Sequence, residues 1–152
     1  MEATKKTSFS RFVALLLVFA MLIPMTVNAA EANIVQPRAS DYLCSYSGYV
    51  SVAGSGKIHL CFSVTGTGYM DQLGALRISV YESTDNENWT WKKTYSNDSY
   101  PSMIGTNDYY HSGYFTYQGI AGRYYKAYIG IYAGKDGNGD TRYFWTSVKQ
   151  AT

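Results

Sequence analysis

Histidine and cysteine occur only twice each in this 152-residue chain, and proline three times. The two histidines, His59 and His111, stand far apart and cannot supply the closely spaced ligand pair of a zinc motif. There is no Gly-x-Ser-x-Gly nucleophile elbow and no cofactor-binding signature, so neither a metal nor a cofactor is expected. Aspartate and glutamate are scattered over turn-like segments, where carboxylates are usually only solvated. His111, Asp108 and Ser112 could in principle form a catalytic trio, but such spacing beside a loop is ordinary on a surface. A hydrolase is therefore the least favoured reading.

Long apolar runs are also missing, except at the start. Lys5, Lys6 and Arg11 precede an almost unbroken apolar stretch from Phe12 to Ile23. Pro24 follows, then the small-residue pattern Val27-Asn28-Ala29, with a second such pattern at Ala30-Glu31-Ala32. This order is that of a secretory signal peptide, here assigned to residues 1–29. The run is short for a membrane span, and nothing later is long and apolar enough to be one. Cleavage removes Lys5, Lys6 and Arg11 together with Glu2. The formal charge of +2 then falls to zero. Without a positive excess, neither nucleic acid nor a membrane surface is an expected partner. With no cysteine near the cleavage region and a polar C-terminal segment, the expectation is a freely secreted, extracellular protein.

What is abundant is tyrosine. All 16 tyrosines and all three tryptophans lie beyond the signal segment, with frequent glycine and little leucine. Such residues suit pleated, half-buried surfaces, and the composition reads as all-β. Residues 30–41 read as an extended linker with Pro37, and residues 42–150 as one domain. Period-two alternation predicts seven strands: 42–53, 57–65, 73–82, 89–95, 109–118, 123–133 and 141–149. Ile58, Leu60, Phe62 and Val64 are predicted inward, as are Leu76, Ile78 and Val80. Seven short antiparallel strands suggest an immunoglobulin-like β-sandwich, with an eight-stranded barrel as the competing closure.

Export permits a disulfide between Cys44 and Cys61. The turn at Gly54-Ser55-Gly56 opposes position 44 to about 66 instead. Alternation points the two thiols apart, placing Cys44 with Val50 and Val52, and Cys61 with His59 and Ser63. A bulge could repair the mismatch. The bridge is thus open but not favoured.

Gly122-Arg123-Tyr124-Tyr125-Lys126-Ala127 resembles the entry to the sixth strand of immunoglobulin-like domains. There, a tyrosine corner lies two residues before a core position. Tyr125 and Ala127 match that spacing, and alanine in place of cysteine implies no inter-sheet disulfide. Pro37-Arg38-Ala39-Ser40-Asp41, Val64 to Gly68 with Met70-Asp71, and Gly122 to Ala127 together resemble a family of small exported proteins of Gram-positive bacteria. That family is a domain of unknown function. The resemblance covers nearly the whole mature chain and implies a secreted bacterial protein, but no activity.

Two turns invite functional readings. Asp136-Gly137-Asn138-Gly139-Asp140 carries oxygens at alternate positions but lacks the glycine and glutamate of a calcium loop, having Thr141 and Ser147 there. A hairpin turn is the expectation. Ser83 to Trp89 resembles part of an Asp-box without its glycine. It is expected to be a turn in which Asp85 binds backbone amides and Trp89 packs beneath.

The aromatic pattern is the strongest functional lead. Tyr125, Ala127, Ile129 and Ile131 form one strand face, and Tyr124, Lys126, Tyr128, Gly130 and Tyr132 the other. A hairpin about Gly137-Asn138 would oppose Tyr132 to Tyr143 and Gly130 to Trp145, with Phe144 and Val148 in the core. The outer face would then carry Tyr124, Tyr128, Tyr132, Tyr143 and Trp145, with Lys126 and Arg142 nearby. Such a face either stacks ligands or stabilises the sheet by cross-strand pairing. The expected function is a non-catalytic binding module for a glycan or cell-wall polymer. The alternative is an interaction or antagonist protein that binds another extracellular protein.

Overall fold

The computed structural model describes residues 40–152. The expected signal peptide, and the expected linker up to residue 39, lie outside the described residues. Nine strands follow one another: β1 (Leu43–Gly54), β2 (Lys57–Met70), β3 (Gln72–Ser83), β4 (Thr90–Ser96), β5 (Ile104–Gly105), β6 (Asp108–Gln118), β7 (Tyr124–Lys135), β8 (Asn138–Trp145) and β9 (Lys149–Gln150). A single 3-10 turn at Pro101–Met103 interrupts the long loop before β5, and there is no α-helix among the described residues. No helix there is long and apolar enough to cross a membrane.

The seven long strands are those the alternation predicts. They form two antiparallel sheets, β1-β2-β6 and β4-β3-β7-β8, with the short β5 and β9 added to β3 and β7. This is an antiparallel, immunoglobulin-like sandwich. Both sheets have open edges, so the barrel closure is not adopted.

The core lies between the sheets. Ile58, Leu60, Phe62 and Val64 descend from β2, and Tyr125, Ala127, Ile129 and Ile131 from β7. Each large aliphatic side chain buried here contributes about 1.5–3 kcal/mol. Tyr46 meets Phe144 across the gap at 5.1 Å, and Tyr95 stacks on Phe115 at 4.4 Å.

Three irregularities depart from simple alternation. A bulge between Leu43 and Ser45 leaves Cys44 exposed, not on the face of Val50. Val52, near the end of that strand, is exposed as well. Cys61 stands opposite Tyr49, so five positions of β1, about 17 Å of strand, separate the two thiols, which are free. A second bulge between Ala75 and Arg77 takes Leu76 out of the core. It lets Leu73 and Ala75 point inward on one side and Ile78 and Val80 on the other. The third lies at Ser147-Val148, where the expected last strand divides into β8 and β9. Thr146 stays buried there, its Oγ1 accepting from the Ala127 N–H at 2.9 Å, while Val148 is 36% exposed and not a core residue.

The β7–β8 hairpin turns one residue earlier than predicted. Asp136 and Gly137 both have positive φ (51° and 77°) and form a two-residue turn, with Lys135 opposite Asn138. The register therefore moves by two residues. Tyr128 faces Trp145, Gly130 faces Tyr143, and Tyr132 faces Thr141. An even shift preserves which side chains share a face.

Candidate functional site

The outer face of the β4-β3-β7-β8 sheet gathers more aromatic side chains than the hairpin alone predicts. Trp145 lies 4.8 Å from Tyr128 and 5.0 Å from Tyr81, and Tyr128 stacks on Tyr143 at 5.7 Å with an interplanar angle of 16°. The Lys126 ammonium sits 4.1 Å from the Trp89 ring centre and 4.7 Å from that of Trp145. Trp91 joins from β4 opposite Tyr81, its Nε1 donating to Thr94 Oγ1 at 3.0 Å. All three tryptophans of the chain thus reach one sheet face.

The layer beneath holds these rings in place. Gly130 is the seat of Tyr143, because a side chain there would collide with that ring and crowd Arg77. Tyr143, not Trp145, covers this glycine in the manner of aromatic rescue. Ser79, opposite Tyr128, is buried although it points outward, and its Oγ pairs with Thr94 Oγ1 at 2.8 Å. The cluster nevertheless stays open, since Tyr143 is 51% exposed, Trp145 44% and Trp91 56%.

Of the predicted residues, Tyr128, Tyr143, Trp145 and Lys126 come together. Tyr124 and Tyr132 stand at the two ends of the same stripe, opposite Ser83 and Gly74 on β3. Tyr132 lies across Gly134 and Gly139. Arg142 is not part of this face. It occupies the β8 edge, 3.7 Å from Asp140 and donating to the Thr141 carbonyl. Sequence reading missed Tyr81, Trp91 and Arg77 as members. Tyr81 was detectable, since it alternates with inward Val80.

A second cluster lies under the site. Glu82 is buried on the inner side of β3, where it accepts from Tyr125 Oη and Arg123 Nη1, both at 2.5 Å, and pairs with Lys92 at 3.0 Å. Tyr125 Oη also accepts from the Ile120 N–H at 2.8 Å, the back-bond of a tyrosine corner. Burial, and then the Glu82 carboxylate, push the Tyr125 hydroxyl up to about 12. Burial acts to raise Glu82 too, but donation from Tyr125, Lys92 and Arg123 outweighs it and holds the carboxyl below its usual value.

The remaining candidates make local contacts away from the aromatic cluster. Asp85 Oδ1 accepts from the Glu87 and Asn88 N–H groups at 2.9 and 2.8 Å, as expected for a turn. The Asn88 side chain and these amides hold its carboxyl well below the usual range. Trp89 lies against Lys126. Asp136 of the hairpin turn donates its N–H to Asp71 Oδ2 at 2.7 Å, and no metal-binding cluster forms among the described residues. His111 contacts the Ser102 carbonyl at 2.9 Å and the buried Phe62 ring, while Ser112 points to the opposite, outer face. Asp108 caps the N–H groups of Tyr109 and Tyr110. These three residues do not converge. His59 bonds Thr116 Oγ1 at 3.0 Å.

No protein-family model and no curated protein matches the chain. The crystal structure of a family 76 glycoside hydrolase from a bovine Bacteroides thetaiotaomicron strain aligns with 70% of this chain and 20% of its own length. The identity is 17% and the TM-score 0.31. A likeness that slight bears on neither fold nor function.

Proposed function

We propose that the protein is a secreted, non-catalytic binding module that recognises a glycan or cell-wall polymer through the outer face of the β4-β3-β7-β8 sheet. One observation carries this reading: all three tryptophans lie on that face with Tyr81, Tyr128 and Tyr143, and Tyr143, Trp145 and Trp91 keep about half their surface in water. Rings that serve only to brace a sheet gain most by covering one another. Here Tyr143, Trp145 and Trp91 stay largely exposed, which suits stacking of sugar rings at small entropy cost. The test is a glycan and cell-wall array with the mature protein, read beside tryptophan fluorescence. Specific binding with a tryptophan shift, weakened by Tyr128→Ala and Trp145→Ala, is expected. Binding that survives both substitutions refutes the assignment.

A second reading, recognition of an extracellular protein by strand addition, is favoured by the β6 edge. After Asp108 this eleven-residue strand carries no charge, and its register against β2 runs unbroken from Ile58 opposite Tyr117 to Thr65 opposite Tyr110. The β4 and β8 edges carry Lys92, Lys93, Asp140 and Arg142, the usual protection against pairing. A stable complex recovered from secretions and insensitive to added sugar is its mark.

A further inference from the structure

The aromatic face carries charge of one sign. Its outward strand side chains include two cations, Arg77 and Lys126, and no carboxylate. Among the described residues neither cation is paired with an acid, whereas Arg123 and Lys92 share Glu82 and Arg142 has Asp140. Arg77 stands opposite Gly130 and Lys126 opposite Tyr81. They are four ladder positions apart, about 13 Å, with Tyr128 between them. Both are held in position. The Arg77 stem packs over Gly130 and its Nη2 donates to Ser79 Oγ at 3.3 Å, while Lys126 rests between two indoles.

We propose that the ligand of this face is an acidic glycan whose carboxylates are borne on the sugar rings themselves, a uronic-acid polymer. The inference rests on the glycan reading above. A uronate carries its charge at the rim of the ring, so a ring stacked on the aromatic cluster brings a carboxylate to the flank of Tyr128. The two cations wait there. The planar guanidinium of Arg77 can meet a carboxylate with two parallel hydrogen bonds. A phosphodiester-linked chain carries its charge between rings, away from the stack. A neutral glycan leaves both cations without a counter-charge.

The experiment titrates the mature protein with soluble oligomers of galacturonate, glucuronate and mannuronate, each beside its carboxyl-reduced neutral counterpart, at low and high salt. At least one acidic oligomer binds about tenfold tighter than its reduced form, and salt erodes the difference. Arg77→Gln and Lys126→Gln each weaken binding of the acidic form more than binding of its reduced counterpart, so that most of the preference is lost. Arg77→Lys and Lys126→Arg, which keep the charge, retain part of it, and unchanged thermal unfolding shows that the variants fold. Equal binding of acidic and reduced forms, or a preference that survives both glutamine substitutions, overturns this inference and leaves the glycan reading standing. No binding by any oligomer, acidic or reduced, together with a blank glycan array, overturns both.

Discussion

The two sheets present their outer faces with the same residue, tyrosine, in the same alternation, yet the faces differ in kind. On β1-β2-β6 the outward residues are mostly serine and threonine, with His59, Cys61, Tyr49, Tyr110 and Tyr114. Charge lies only at the rims, on Lys57 and Asp108. Its ring contacts are isolated pairs, Tyr69 with Tyr109 and His59 with Tyr114. On β4-β3-β7-β8, Tyr81, Tyr128 and Tyr143 join Trp145 in one connected cluster, which Lys126 links to Trp89. Tyrosine content alone therefore does not define a platform. What matters is which rings the ladder places side by side, and whether glycine lies beneath to let them settle.

The largest test of that contrast is paired substitution on each face. Tyr128→Ala with Trp145→Ala is expected to weaken glycan binding by about a hundredfold, near 2.7 kcal/mol. Tyr49→Ala with Tyr114→Ala on the other face should leave it within about twofold, and calorimetric titration of both compares them directly. Equal losses would abolish the distinction between the faces.

Next comes the seat of the cluster. Gly130→Val displaces Tyr143, and overpacking of this kind costs about 1–3 kcal/mol, read as a lower denaturant midpoint. Binding should fall with it.

The third test separates the face from the network beneath. Tyr125→Phe leaves the Ile120 N–H unpaired and takes one donor from buried Glu82, costing about 1–3 kcal/mol of stability. Glycan affinity of the folded variant should be unchanged.

The smallest effects are those of pH, followed by denaturant unfolding. The Glu82 carboxyl lies lower in the folded chain than in the unfolded one, so it stabilises above the ordinary carboxylate value. That contribution is lost as pH falls through its depressed value. The Tyr125 hydroxyl is raised, so its contribution is complete below about pH 10 and disappears as pH climbs toward about 12. Glu82→Gln should flatten the acid limb and Tyr125→Phe the alkaline one.

Much of the fold was legible because alternation is a local property. The inward set on β2, the inward set on β7 and the spacing of Tyr125 before Ala127 needed only neighbouring residues. The departures came where one residue breaks the count. Cys44, Leu76 and the Ser147-Val148 segment lie at bulges or breaks in the strands, and nothing in their side chains announces an extra residue. The hairpin moved by two because Asp136-Gly137 suits a tight turn as well as Gly137-Asn138 does. Tyr128, Tyr143 and Trp145 kept a common face only because that shift was even. Arg142 fell on the other parity, at an edge.

By itself the sequence determined the class of fold and, away from the bulges at Cys44 and Leu76 and the break at Ser147-Val148, the side of each strand on which a residue stands, since both follow from a two-residue period and the turn residues between runs. Only the tertiary structure decided that Trp89, Trp91 and Tyr81 join Trp145, that Arg77 and Lys126 flank Tyr128, and that Glu82 is buried under Tyr125. Those neighbours come from pairing between strands remote in the chain. Such register is set by packing of the whole sandwich and not by any single segment.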